Sequence, residues 1–132
     1  MISMALYQKS RALTVFAGSE LLSLIFLFSF GLATLLYDKF PLTNAYQSAL
    51  LSLHISFAML TAFLGVALFA LGTLSKDKVL FYLSTANIIF IGMAAAGGLL
   101  FYSTLDPLYS YIMALSFVGS FFSTTGFLFR SI

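Results

Sequence analysis

The stretch Ser75-Lys76-Asp77-Lys78 places three charged residues in a row near the middle of an otherwise apolar chain. It ends one long apolar run and opens another. The basic segment Gln8-Lys9-Ser10-Arg11 opens the first apolar run in the same way. The pattern predicts two hydrophobic helical hairpins, each entered through a short basic segment, with residues 75–78 as the junction.

The composition excludes an ordinary water-soluble domain. Hydrophobic residues make up 61% of the 132 residues and charged residues only 8%, against about 25% charged residues in typical soluble domains. This small number of polar side chains cannot cover a water-facing surface. The chain must therefore lie in lipid or in an assembly that buries it. Because cysteine is absent, disulfides and thiol chemistry are excluded.

Four segments are apolar and long enough to cross a hydrocarbon layer of roughly 30 Å as helices. Proline turns at Pro41 and Pro107 separate the two helices of each hairpin. The sequence therefore predicts an all-α fold, an antiparallel four-helix bundle in one domain, residues 1–132. The helices are expected at residues 12–37, 45–73, 79–102 and 108–129, with Thr43 or Asn44 as the cap of the second.

The two halves show weak internal similarity. Aligning the second half with the first places Lys9 on Lys76, Arg11 on Lys78 and Glu20 on Asn87. We therefore hypothesise a duplicated hairpin, residues 8–74 and 75–132.

The basic residues predict which surface meets a polyanion. If the helices alternate in direction, five of the six basic residues lie at one end of the bundle. In a membrane protein this asymmetry predicts cytoplasmic termini and contact with anionic lipid; in a coat protein it predicts an inner wall that binds DNA phosphates without sequence preference. The residues are Lys9, Arg11, Lys76, Lys78 and Arg130.

Two ionisable residues inside the predicted helices are candidates for chemistry. Glu20 lies two to three turns inside the first helix, where a carboxyl group indicates proton or cation coupling, or a structural hydrogen bond. His54 is the only histidine, and imidazole on an apolar helix is a possible axial haem ligand. The alternative is a histidine that hydrogen-bonds a serine or a backbone group between helices. A haem would need a second ligand from another subunit or from Met59, Met93 or Met113.

Small residues predict close helix packing. Serines recur every four residues in the second helix, and glycines cluster in the third. The residues concerned are Ser48, Ser52, Ser56, Gly92, Gly97 and Gly98. No nucleophile–base pair, phosphate-binding loop or metal-ligand cluster is recognisable, so we expect neither an enzyme nor a cofactor.

The entry segments Lys9-Ser10-Arg11 and Lys76-Asp77-Lys78, with the turns at Pro41 and Pro107, give the whole chain a recognisable layout. In this layout it resembles the small hydrophobic major coat proteins of spindle-shaped and related rod-shaped archaeal viruses. The resemblance implies a structural protein of the virion, in which many copies of the chain pack their helices into a shell around DNA. The alternative is a four-span protein of the cell membrane, either a small transporter or a non-catalytic subunit of a membrane complex.

Overall fold

The computed structural model describes the backbone of residues 2–37 and 44–132, and the side chains of residues 11–34 and 44–132. These parts of the chain form four helices: α1 (Ile2–Tyr37), α2 (Ala45–Leu74), α3 (Lys78–Thr104) and α4 (Pro107–Ser131). The all-α prediction is confirmed, and the predicted ends of α2, α3 and α4 lie within two residues of the observed ones. The turn predicted at Pro41 and the side chain of Lys9 lie outside the described residues.

The start of α1 was predicted wrongly. The helix begins at Ile2 rather than at residue 12. Residues 2–11 contain neither proline nor glycine, so nothing in this segment interrupts helical geometry. The apolar pattern begins only after Arg11, and it therefore marks where α1 becomes apolar rather than where it starts.

Side chains cap the first turns of α2, α3 and α4. The carboxamide of Asn44 and the carboxylates of Asp77 and Asp106 each accept a hydrogen bond from the backbone N–H two residues further on, at 2.9–3.0 Å. Pro107 occupies the first turn of α4, where its missing N–H has no helical acceptor to lose. These caps explain why each helix begins directly after a polar residue.

The four helices pack in the ring order α1, α2, α3, α4, and α4 closes the ring against α1. Packing within the hairpins α1–α2 and α3–α4 is more extensive than packing between them. Among the described residues, no Cα atom of α1 lies within 8 Å of one in α3, and the same holds for α2 and α4. The helices α1 and α3 are therefore diagonal partners across the bundle interior.

The antiparallel order brings the charged segments to one end. Thr14 near the start of α1 lies 3.3 Å from Ser131 at the end of α4, measured between their side-chain oxygens. Arg130 forms an ion pair of 3.0 Å with Asp77 in the α2–α3 junction. We call this end of the bundle, which holds Arg11, the junction and Arg130, the basic end.

The bundle is polar inside and apolar outside. Large hydrophobic side chains of all four helices are exposed, including Phe63, Leu99 and Phe129, each at least two-thirds exposed. The buried side chains include a carboxyl group, a carboxamide and several hydroxyls. In water this distribution would expose far more apolar surface than a soluble monomer tolerates, so the outer surface requires an apolar environment. The buried polar residues are Glu20, Ser23, Thr34, Thr61, Ser84, Asn87, Ser116, Ser120, Ser123, Thr124 and Ser131.

One compact apolar cluster lies between the basic end and the polar interior. All four helices contribute to it, and each of its side chains is at most 5% exposed. Each member lies one or two turns nearer the basic end than the polar residues at the centre of the same helix. The cluster therefore closes the interior towards the basic end; its members are Leu13, Ala17, Leu68, Leu80 and Phe127.

Candidate functional site

The centre of the bundle holds a hydrogen-bonded chain of three side chains, which we call the central trio: Glu20, Asn87 and Ser120. The amide nitrogen Nδ2 of Asn87 donates to Oε1 of Glu20 at 2.6 Å. The hydroxyl of Ser120 donates to Oδ1 of Asn87, also at 2.6 Å. None of the three is more than 1% exposed. The trio thus links α1, α3 and α4 through groups that are shielded from solvent.

The remaining helix, α2, faces the carboxyl group of Glu20 with a glycine, which has no side chain. Gly65 is buried, and a Cβ atom at this position would lie 3.5 Å from Oε1 of Glu20 and would collide with the side chain of Ile91. A Cβ atom would therefore force Ile91 to move but would make only an ordinary contact with the carboxyl group. The helix α2 thus comes close to Glu20 at Gly65, and all four helices surround the carboxyl group.

Three buried oxygen atoms have no hydrogen-bond partner within the part of the chain that the structure describes. They are Oε2 of Glu20 and the hydroxyl oxygens of Ser116 and Thr124. Ser116 and Thr124 lie four residues before and after Ser120, so the three side chains share one face of α4. An unpartnered buried oxygen is costly, and here it marks free hydrogen-bonding capacity beside the carboxyl group.

A second line of polar groups follows the contact between α1 and α2, which we call the α1–α2 seam. The hydroxyls of Ser23 and Thr61 lie 2.8 Å apart, and both side chains are buried. One to two turns further from the basic end, Nδ1 of His54 lies 2.9 Å from the carbonyl oxygen of Leu27. The seam therefore holds a hydroxyl pair and then an imidazole at successive levels beyond Glu20.

The geometry of His54 defines its tautomer. A carbonyl oxygen only accepts hydrogen bonds, so Nδ1 carries the proton in the bond to Leu27 and Nε2 of the neutral ring is an acceptor. The ring packs into a notch at Gly31, where a Cβ atom would lie 2.7 Å from Cε1 of the imidazole. The half-buried ring thus presents a basic nitrogen while its orientation is fixed by α1.

Of the three methionines considered as second haem ligands, two lie on outer faces of the bundle and the third packs within the α3–α4 hairpin. Met59 and Met93 are exposed on outer faces of the bundle, and Met113 packs against Gly97 and Gly98. Within residues 11–34 and 44–132, no three histidine, aspartate or glutamate side chains are close enough to hold a metal ion. Haem binding through His54 stays a prediction.

Among the described residues, the basic end presents four exposed cations, one of which is paired. They are Arg11, Lys76, Lys78 and Arg130, and Arg130 is bonded to Asp77. Desolvation raises the pKa of Asp77, but hydrogen bonds from two backbone N–H groups and the charge and hydrogen bond of Arg130 outweigh it and hold this pKa below its ordinary value. The junction is therefore fixed by a carboxylate that both caps α3 and binds the end of α4.

The small residues divide into two groups. Gly97 and Gly98 contact α4, as the packing prediction expects: a Cβ atom at Gly97 would lie 3.1 Å from the carbonyl oxygen of Tyr109. Gly92 has no atom of another helix within 4 Å of such a Cβ. The serine face of α2, Ser48, Ser52 and Ser56, is exposed. Among the described residues, Gly92 makes no close contact with another helix. The role of Gly92 and of these serines in helix packing, including contacts between copies of the chain, stays a prediction.

Sequence analysis singled out Glu20 and His54 but not the residues that contact them. The sequence indicates Asn87 only as the position that the hairpin alignment pairs with Glu20. Ser23 and Thr61 resemble many other hydroxyl residues in apolar helices, so nothing in the sequence distinguishes them. Their importance follows from where the helices place them.

Fold and site together define a class: an all-α bundle of four apolar helices around a polar interior. Each helix contains a segment long and apolar enough to cross a membrane. No protein-family model, curated protein or solved structure matches the chain.

Proposed function

We propose that the chain is a four-span integral membrane protein that moves protons across the membrane by reversible protonation of Glu20. The observation that carries this proposal is the complete burial of the carboxyl group at the centre of an apolar bundle, where Oε2 has no partner among the described residues. An ionisable side chain at such a position is costly to retain and is by default functional. A structural hydrogen bond alone would need only a neutral amide.

The position of Glu20 along the bundle supports this function. It lies nine residues beyond Arg11, or roughly 14 Å along α1. In a hydrocarbon layer of roughly 30 Å, that depth places the carboxyl group near the middle. A single protonation site near the midplane is reachable from either side when the bundle rearranges, which alternating access requires.

The charges at the basic end support an orientation. Arg11, Lys76 and Lys78 are exposed at this end, whereas the described residues of the α3–α4 turn at the other end include the acidic Asp106. By the positive-inside rule, the basic end faces the cytoplasm and contacts anionic lipid headgroups there.

Proton flux into vesicles tests the function. The purified protein is reconstituted into liposomes that enclose a pH-sensitive dye, and a potassium diffusion potential drives proton entry. Glu20→Gln keeps the size of the side chain but cannot bind and release a proton at physiological pH, so we expect the flux to fall to that of protein-free vesicles. Asp106→Asn is the matched control, because Asn caps a helix as well as Asp. Unchanged flux in Glu20→Gln would refute the function.

The second candidate is a virion coat protein, which rests on the resemblance described above and on the exposed cations of the basic end. In that function, Lys76 and Lys78 contact DNA phosphates, and the apolar helix faces contact other copies of the chain. Native material containing the chain is assayed for nuclease-protected DNA and for lipid. Particles with DNA, in which Lys76→Gln/Lys78→Gln weakens packaging without loss of helix content, would favour the coat. Lipid without DNA would favour the membrane protein.

A further inference from the structure

We propose that the α1–α2 seam is a proton path that connects Glu20 to the membrane face opposite the basic end, with Thr61 and Ser23 as relays and His54 as the entry group. This inference rests on the proposed function and adds a route and a side to it. Its basis is the order of polar groups along the seam.

The two helices place these groups at successive levels. Glu20, Ser23 and Leu27 follow one another on the same face of α1, three and four residues apart. On α2, the same levels are occupied by Gly65 beside Glu20, Thr61 beside Ser23 and His54 beside Leu27. Because the imidazole also packs at Gly31 of α1, the levels from the carboxyl group to the imidazole span eleven residues of each helix, or roughly 16 Å.

The chemistry of each group suits proton transfer. The Ser23 and Thr61 hydroxyls lie 2.8 Å apart, and the Ser23 hydroxyl also lies 3.4 Å from the carbonyl oxygen of Phe57. A hydroxyl can both donate and accept hydrogen bonds, as a relay requires. Nδ1 of His54 keeps its proton in the bond to Leu27. Nε2 therefore takes up the incoming proton and releases it again to the water chain towards Thr61, so the ring returns to its neutral form.

A water molecule would link Ser23 to Oε2 of Glu20. Thr61 and His54 are seven residues apart on α2, or roughly 10 Å, so a chain of several water molecules would link these two side chains. Each hydroxyl and each water accepts a proton on its oxygen and releases another, so only Glu20 gains a proton in each transfer.

The other direction is closed. Towards the basic end, the apolar cluster of Leu13, Ala17, Leu68, Leu80 and Phe127 fills the interior. On that side, the buried hydroxyls of Ser84 and Ser123 bond carbonyl groups of their own helices. The buried hydroxyl of Thr124 has no partner within the described residues, so none of the three extends a hydrogen-bonded chain from the central trio. In the described part of the bundle, only the α1–α2 seam continues from Glu20 through polar groups to a second titratable side chain.

Other titratable groups do not interfere with this assignment. Of the helices around Glu20, α2 presents Gly65, α3 presents Asn87 and α4 presents Ser120, none of which titrates. The described charged residues other than Glu20 lie at the two ends of the bundle. A change in flux on altering the seam therefore reports on the seam itself.

Proton flux in the liposome assay separates this path from the proposed function. Thr61→Val replaces the hydroxyl with a methyl group of similar size, and we expect flux to fall roughly tenfold or more. Ser23→Ala provides a second, smaller change at the same level. Thr73→Val is the matched control, because Thr73 lies on the exposed side of the same helix and bonds only its own backbone.

His54 adds a readout that a purely structural role would not give. His54→Ala should lower the flux to a similar extent, and added imidazole should restore it. Circular dichroism and elution from a sizing column identify folded variants. Wild-type flux in folded Thr61→Val would overturn the path; if Thr61→Val does not fold, wild-type flux in folded Ser23→Ala would do so. In either case, loss of flux in Glu20→Gln would still uphold the proposed function. Flux retained in Glu20→Gln would overturn both.

Discussion

Glu20 and Asn87 lie on the diagonal helices α1 and α3, whose Cα atoms do not approach within 8 Å, yet their side chains share a hydrogen bond of 2.6 Å across the interior. They are 67 residues apart, which is the offset that aligns the two hairpins. If the hairpins are duplicated, as we hypothesise from the sequence, Glu20 and Asn87 are equivalent positions that meet at the axis between them. Because two carboxylates this close cannot both ionise, an amide opposite the acid is the arrangement that leaves one titrating group.

Asn87 should be the principal partner that stabilises buried Glu20. Asn87→Leu removes the only hydrogen bond of Oε1 described for Glu20 and leaves the Ser120 hydroxyl without its acceptor. We expect the free energy of unfolding in detergent to fall by about 1–3 kcal/mol, the cost of unpartnered buried polar groups.

A double-variant cycle isolates this interaction. In Glu20→Leu/Asn87→Leu, both polar partners are replaced, so the double variant should be more stable than Asn87→Leu alone. Denaturant titration followed by circular dichroism measures both. If Asn87→Leu unfolds at the wild-type denaturant concentration, the central trio does not hold Glu20 in place.

Two glycines should respond oppositely to alanine. A Cβ atom at Gly119 would lie 2.6 Å from ring carbons of Phe90, whereas one at Gly92 meets nothing within 4 Å. Gly119→Ala should destabilise the bundle by about 1–3 kcal/mol through overpacking. Gly92→Ala should stabilise it by up to about 1 kcal/mol through helix propensity. Equal effects on the free energy of unfolding would contradict the α3–α4 packing described here.

Asp77 should stabilise the junction in two separable ways. Asp77→Asn keeps the cap on α3 but loses the ion pair with Arg130, whereas Asp77→Ala loses both. At pH 7 we expect the melting temperature Tm to be highest for the wild type, slightly lower for Asp77→Asn and a few degrees lower for Asp77→Ala.

The difference in Tm between the wild type and Asp77→Asn should depend on pH. Because the pKa of Asp77 is lower in the folded state than its usual value of about 3.9, its stabilising effect is fully present above that value. It is lost as the pH falls through the folded-state pKa, where the carboxylate becomes protonated. Tm measured from pH 7 to pH 2 should therefore show the two proteins converging in acid. A constant difference would mean that the ion pair contributes nothing.

Leu105 should be replaceable by glycine with a gain in stability. It ends α3 with φ 57°, the left-handed region that side chains with a Cβ atom disfavour, and its side chain is about half exposed. Leu105→Gly should raise the free energy of unfolding by about 0.5–1 kcal/mol, the net of relieved strain and added chain entropy. Leu105→Ala keeps the Cβ atom and should show no such gain.

The number, length and ends of most helices follow from local sequence. Long apolar runs interrupted by charge and proline predict helices because an apolar environment requires every backbone group to bond within its own segment. Asn44, Asp77 and Asp106 mark the starts of three helices for the same local reason, since each cap involves groups two residues apart. The start of α1 was not predicted because residues 2–11 are only partly apolar and end in the polar segment Gln8 to Arg11, so they lack the long apolar run used to find the other helices.

The sequence by itself determined that this chain is a bundle of four apolar helices with one acid and one histidine among them. Only the tertiary structure decided that Glu20 meets Asn87 and that Ser23 meets Thr61. Helices that are apolar on nearly every side carry little periodicity to show which face points inward. The rotation of each helix is set by packing at glycines such as Gly65 and by interior hydrogen bonds, which form between residues far apart in sequence and only when all four helices are assembled.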